Sequence, residues 1–214
     1  MARDAPGYGK SPDPDAYPDV GGYVDEVAIL IERASETAAF VLGMSWGGVI
    51  AMEFALKYPD RVLGLILGDT TRGAGQSSIQ AKAMLARAAE LEEVGAPEFA
   101  RRRASRLLPT TTDPQAVQEV AQAMAASIRL PGYGYAARFM AQTDLTGRLH
   151  RITAPTLVIY GSEDIVTGKA ESEAIAAAVP NSTLVEIAGA GHLCNQEKPE
   201  QFNAHTRNFI RNLE

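Results

Sequence analysis

Apolar residues recur with two different periods along this chain, and the places where one period gives way to the other outline its elements. Val24, Val27, Ala28 and Ile31 fall at i, i+3, i+4 and i+7, the stripe of an amphipathic helix that runs out near Ser35. Residues 39–42 (AFVL) then form a short β-type run. Residues 47–58 are apolar on nearly every side, as in a buried helix, and Pro59, which lacks an N–H and collides with the preceding turn, stops it. Residues 61–69 (RVLGLILGD) read as a strand apolar on both faces, the kind found in the middle of a parallel sheet.

The pattern changes between Thr71 and Leu145. Pro97 and Pro114 each open a helical run, while Gly95, Pro109 and the LPGYG stretch around Pro131 break between runs, so this region is expected to hold four short helices and no strand. Alternation then returns: a strand at 156–161, a helix at 168–178, a strand at 182–189 and a closing helix at 199–213. Such alternation predicts an α/β fold, a mostly parallel sheet with helices on its faces. The expected division is a core of residues 1–70 and 146–214 carrying an inserted helical cap of residues 71–145.

Composition narrows the function classes. With 46% hydrophobic and 21% charged residues the chain is an ordinary folded protein. A net charge of -6 gives no drive toward phosphate backbones or anionic lipid, so neither nucleic acid nor a membrane is an expected partner. The basic run Arg101–Arg102–Arg103 with Arg106 sits beside Glu92, Glu93 and Glu98 and reads as a solvated helix face. A single cysteine, Cys194, can close no intrachain disulfide and belongs to no zinc-ligand spacing; no metal and no cofactor are expected. The first twenty residues lack the apolar block of a signal peptide and no segment reaches about 18 apolar residues, which predicts a soluble, cytoplasmic protein. Gly9-Lys10-Ser11 imitates the end of a phosphate loop, but the first glycine of that motif would fall at Asp4 and no strand precedes it.

The candidate chemistry begins at Gly43-Met44-Ser45-Trp46-Gly47, between the run at 39–42 and the buried helix. A serine there occupies a tight strand-to-helix turn, and flanking glycines remove Cβ atoms that would collide; the turn lifts the hydroxyl off the carboxyl end of the sheet, beside a helix N-terminus that favours negative charge. A serine needs a base, and the base an orienting acid. Of the three histidines only His192 lies in a loop after a strand; His150 precedes one and His205 is in the closing helix. Asp164, three residues beyond the strand at 156–161, emerges at the same edge, with Glu163 and Asp69 as alternative acids. Open parallel sheets gather their sites along this edge.

With the segments RDAPGYGKS (3–11), GMSWGG (43–48), YPDRVLGLILGD (58–69), PTLVIYGSED (155–164) and GAGHLCNQEKPEQFN (189–203), in this order, the chain resembles the α/β-hydrolase family, most of all its enol-lactonase and carboxylesterase branch. The resemblance implies a serine hydrolase of small carboxylic esters or lactones, without a cofactor, acting through an acyl-enzyme: Ser45 as nucleophile, His192 as base, Asp164 as orienting acid and the Trp46 N–H in the oxyanion hole. It also implies an N-terminal truncation, since that family's first strands and oxyanion loop have no counterpart before Arg3, which predicts an exposed edge at 39–42 and impaired activity. Substrate contacts are expected from Met44, Phe139 and Met140, with Arg138 meeting a substrate carboxylate. Two other readings stay open, a proline iminopeptidase-like hydrolase, which would need cap acids such as Glu90, Glu92 or Glu93 to hold an amine, and a non-catalytic remnant. The expected partner is a small-molecule ester or lactone; homo-oligomerisation is left open.

Overall fold

In the computed structural model, which describes all 214 residues, four strands form one parallel sheet in the order β1 (Ala39–Met44), β2 (Val62–Gly68), β3 (Thr156–Gly161) and β4 (Ser182–Ile187). Parallel neighbours need long crossovers. The helix α2 (Trp46–Lys57) joins β1 to β2 and α6 (Gly168–Ala178) joins β3 to β4, while α3 (Ser78–Leu107), α4 (Pro114–Ser127) and α5 (Gly132–Gln142) fill the connection between β2 and β3. Ahead of the sheet lies α1 (Val20–Arg33); α7 (Cys194–Glu197) and α8 (Pro199–Arg211) follow it.

The two-residue period of the strands sorts their side chains into two cores. Leu65, Leu67 and Val158 pack with Val49, Phe54 and Ile175 on one face, and Ile66, Leu157 and Ile159 with Ile187 and Phe202 on the other. Burial on both faces accounts for the continuous apolar runs of β2 and β3. The start of β2 departs from that expectation, with Leu63 52% exposed.

Other differences have local causes. Pairing of Gly43 with Leu67 and Met44 with Gly68 carries β1 two residues past Leu42, so α2 begins at Trp46. Asp19 caps α1 by accepting from the Gly22 N–H, and two glycines in that first turn hide it from hydrophobic periodicity. Four residues make α7, too few for any period to register.

Between β2 and β3 there is no strand. Gly95 (φ 74°, ψ 162°), followed by Pro97, breaks α3 into two rods, which with α4 and α5 makes four helical segments. Arg101 and Arg102 lie on a solvated face, both held by Glu98 at 2.7 Å, whereas Arg103 turns inward to Glu90 (2.6 Å) and over the Phe99 ring (4.3 Å). The expected solvated face is therefore corrected for Arg103, because successive helical residues point about 100° apart and one of the run must face inward. No helix is long and apolar enough to cross a membrane.

The loop before α1 is fastened to the junction of α4 and α5. Gly7 (φ 79°) and Gly9 (φ 49°) let it curl, the Gly9 N–H donates to the Ser127 carbonyl, and the Arg129 guanidinium donates to the carbonyls of Gly9 (3.0 Å) and Ser11 (2.6 Å). Tyr8 is thereby laid against Trp46, with ring centroids 5.4 Å apart.

Candidate active site

All four strands run the same way, so the residues that follow them emerge at one edge. Ser45 follows β1, Asp69 follows β2, Asp164 comes three residues after β3, and His192 five after β4. Ser45 sits at φ 49°, ψ -118°, a conformation costly for a side chain bearing a Cβ. The turn is held by the Ser45 N–H donating to the Gly68 carbonyl (2.8 Å) and by the Thr70 hydroxyl donating to the Ser45 carbonyl (2.6 Å). Its glycine requirement differs from the expectation of two glycines flanking the serine. A Cβ on Gly43 would lie 2.2 Å from the Gly47 carbonyl oxygen and one on Gly48 would lie 2.4 Å from Thr70 Oγ1, whereas one on Gly47 would meet nothing within 4 Å. The sequence motif points to residues 43 and 47; the tight contacts are at 43 and 48.

His192 Nε2 lies 2.8 Å from Ser45 Oγ, and His192 Nδ1 lies 3.1 Å from Asp164 Oδ2. Burial by itself would raise the Asp164 pKa, but the hydrogen bond and charge of His192, the Thr167 hydroxyl and the Val166 N–H outweigh it and hold the carboxyl well below the usual range. An ionised carboxylate only accepts, so the imidazole proton belongs on Nδ1 and the lone pair on Nε2 faces the serine hydroxyl. A hydroxyl, an imidazole and a carboxylate in this order can pass a proton from Ser45 to the ring. His150 and His205 are both exposed.

Of the alternative acids, Glu163 is exposed, and Asp69 has other work. Fully buried, it accepts from the backbone N–H groups of Gly161 (2.8 Å) and Cys194 (3.1 Å), bracing the loops that carry Asp164 and His192. Burial pushes its carboxyl up despite those donors. Glu197 accepts from the N–H of Gly191 and of Leu193, and the His192 N–H donates to the Leu107 carbonyl at the end of α3. Neither Asp69 nor Glu197 was legible in these positioning parts, because both bind backbone, which leaves no compositional mark.

The match to known proteins follows this geometry. Residues 1–199 match the family model described as serine aminopeptidase, S33. The chain belongs to that α/β-hydrolase family. Among curated relatives, this S33 hydrolase is 29% identical to 3-oxoadipate enol-lactonase 2 of Acinetobacter baylyi over 95% of its own length and 75% of the relative's. It is 30% identical to a proline iminopeptidase of Flavobacterium johnsoniae over 71% of its length and 59% of the relative's. Among solved structures, a thermophilic esterase from Thermogutta terrifontis superposes with a TM-score of 0.86 at 30% identity, covering 98% of this chain and 78% of that one.

Two adjoining cavities open on Ser45 in the S33 hydrolase, of about 410 and 500 Å³. Both are lined by Tyr8, Trp46, Arg87, Tyr133 and Val166. Trp46 opens α2, so its N–H is one of the first-turn amides without an intrahelical acceptor. Of the side chains expected to touch substrate, Met140 lines the first cavity. Met44 packs against Gly68 in the core near Phe202, and Phe139 is fully buried between Tyr23 and Trp46. Arg138 is exposed with its guanidinium 4.2 Å from the Tyr17 ring centroid, lining neither cavity. Arg87 and Tyr133 carry no motif, and only folding brings them to these cavities; Tyr8 lies in the segment 3–11 that shares in the family resemblance. No group of three or more His, Cys, Asp or Glu side chains is placed to hold a metal ion.

Proposed function

We propose that this chain is a serine hydrolase of small carboxylic esters or lactones that works through a covalent acyl-enzyme. The observation that carries the reading is the line from Asp164 through His192 to Ser45, at 3.1 and 2.8 Å. Ser45 Oγ bonds to the substrate carbonyl carbon as its proton passes to His192 Nε2. The developing oxyanion lies toward the Trp46 N–H and the positive end of α2. The carbon–oxygen bond of the ester then breaks and the leaving alkoxide takes the proton from His192; in a lactone this oxygen stays tethered to the acyl group. Water, deprotonated by the same imidazole, splits the acyl-enzyme and returns the serine. The enol-lactonase and esterase relatives support ester-type substrates.

The iminopeptidase likeness suggests an amine-bearing substrate, and the charge of the cavities weighs against it. Glu90 is engaged by Arg102 and Arg103, and Glu92 and Glu93 are exposed outside the cavities. Glu171, the one carboxylate lining either cavity, is held by Arg72 in a two-pronged pair.

The test is labelling with a fluorophosphonate followed by assay on p-nitrophenyl acetate and proline β-naphthylamide. The expected result is an adduct on Ser45 that is lost in Ser45→Ala, with turnover of the ester and not of the amide. No adduct on the native chain would replace this reading with that of a non-catalytic remnant.

A further inference from the structure

Arg87 on α3 lines both cavities that contain Ser45. It is half-buried and takes part in none of the ion pairs that occupy the arginines around it. The groups that act on it are the Tyr133 phenol and two further cations, Arg103 and Arg106. Arg103 is already matched by Glu90 at 2.6 Å, and Arg106 is exposed at the second cavity. Glu171 is neutralised by Arg72, with its Oε1 2.7 Å and its Oε2 3.1 Å from that guanidinium. At these cavities there are thus two guanidiniums with no anion, of which Arg87 is half-buried and shared by both cavities while Arg106 is exposed at the second, in a chain of net charge -6. Burial and the like charges of Arg103 and Arg106 lower its affinity for its own proton, so an anion placed there is favoured twice, by pairing and by relief of repulsion.

Resting on the hydrolase reading above, we propose that Arg87 binds a free carboxylate carried by the substrate, so that the ester or lactone cleaved at Ser45 is one that retains a second, ionised carboxyl group. A guanidinium presents two parallel N–H donors that match a carboxylate. Arg87 is the only half-buried one of the two unmatched cations and fits one negative charge, whereas a phosphate dianion would have to draw its second counter-charge from Arg106, which is exposed to solvent. The half-ester of a short dicarboxylic acid is the simplest such substrate. Arg106, nearer to solvent, adds a local attraction that offsets the acidic surface elsewhere. Arg87 takes the part that sequence reasoning gave to Arg138.

The experiment compares monomethyl with dimethyl glutarate in the native protein and in Arg87→Gln, Arg87→Lys and the control Lys82→Gln, an exposed position on the same helix. The native protein is expected to favour the half-ester, and Arg87→Gln to lower the half-ester to diester ratio of kcat/KM by roughly tenfold to a hundredfold, mainly through KM. Arg87→Lys should recover part of the ratio and Lys82→Gln all of it. Equal ratios in native and Arg87→Gln proteins, or a native preference for the diester, would overturn the proposal. Calorimetric binding of glutarate against glutaramide decides the matter without turnover. Tighter glutarate binding that is lost in Arg87→Gln supports the carboxylate site even if Ser45 takes no fluorophosphonate and the hydrolase reading fails; indistinguishable binding of the two compounds overturns it even if Ser45 is labelled.

Discussion

Single atoms decide most of the chemistry of this chain. Asp164 owes its low pKa to His192, Thr167 and Val166 prevailing over burial, and a carboxyl whose folded pKa lies below its unfolded value near 4 contributes stability above that value and loses it as pH falls through the folded one. The stability lost in Asp164→Asn should therefore be largest near pH 6 and shrink toward pH 3, read from urea melts at the two pH values. The same variant should lose roughly a thousandfold to ten-thousandfold in kcat, since an amide in place of the carboxylate no longer fixes the proton on Nδ1. Cys194 illustrates the reverse case. Burial first, and then the Asp69 carboxylate beside it, push its thiol far above the ordinary range, so a disulfide reagent such as DTNB should leave it untouched in the native protein and titrate one thiol in guanidinium. Ser45, Asp164 and His192 could be picked out as candidates from the sequence because each lies in a turn or loop that leaves the carboxyl end of a strand-like run. Arg87 could not, since the thing that distinguishes it, the lack of an acid nearby, is a property of its neighbours in space.

At the scale of elements, the turn from β1 into α2 depends on how closely the backbone and Thr70 approach it. A methyl group at Gly48 must displace the Thr70 side chain, which holds the Ser45 carbonyl, while one at Gly47 meets open space. Gly48→Ala is expected to cost about 1–3 kcal/mol and to reduce Ser45 labelling, and Gly47→Ala to leave the melting temperature unchanged or raised, as replacing a helical glycine allows. Thermal melts with fluorophosphonate labelling rates check both. The five-residue motif suggested the reverse emphasis, for the physical reason that a motif records which residues are small and cannot record what packs against them. Element type and order were legible from the two periods of apolar residues. Ends of elements were less so, because caps such as Asp19 and pairings such as Met44 with Gly68 act through backbone groups.

For the whole molecule, the sheet order makes β1 an edge with one neighbour, and Leu42 stands 46% exposed on it. An apolar strand with an unpaired ladder invites another chain to pair. Leu42→Lys should lower light scattering across a concentration series while leaving the far-ultraviolet circular dichroism unchanged; equal scattering would show that this edge does not drive association. The sequence by itself determined the parallel α/β architecture, the helical character of residues 71–145 and the chain positions of the hydroxyl and the imidazole, and it narrowed the carboxylate to Asp164, Glu163 or Asp69. Those follow from local periodicity and from the rule that parallel strands present their carboxyl ends together. Tertiary structure alone decided that Asp69 braces two loops, that Tyr133 walls the cavities, and that Arg87 rather than Arg138 lines the cavities that hold the serine. Each of these depends on contacts between segments far apart in the chain, where distance and the balance of neighbouring charges exist only after folding.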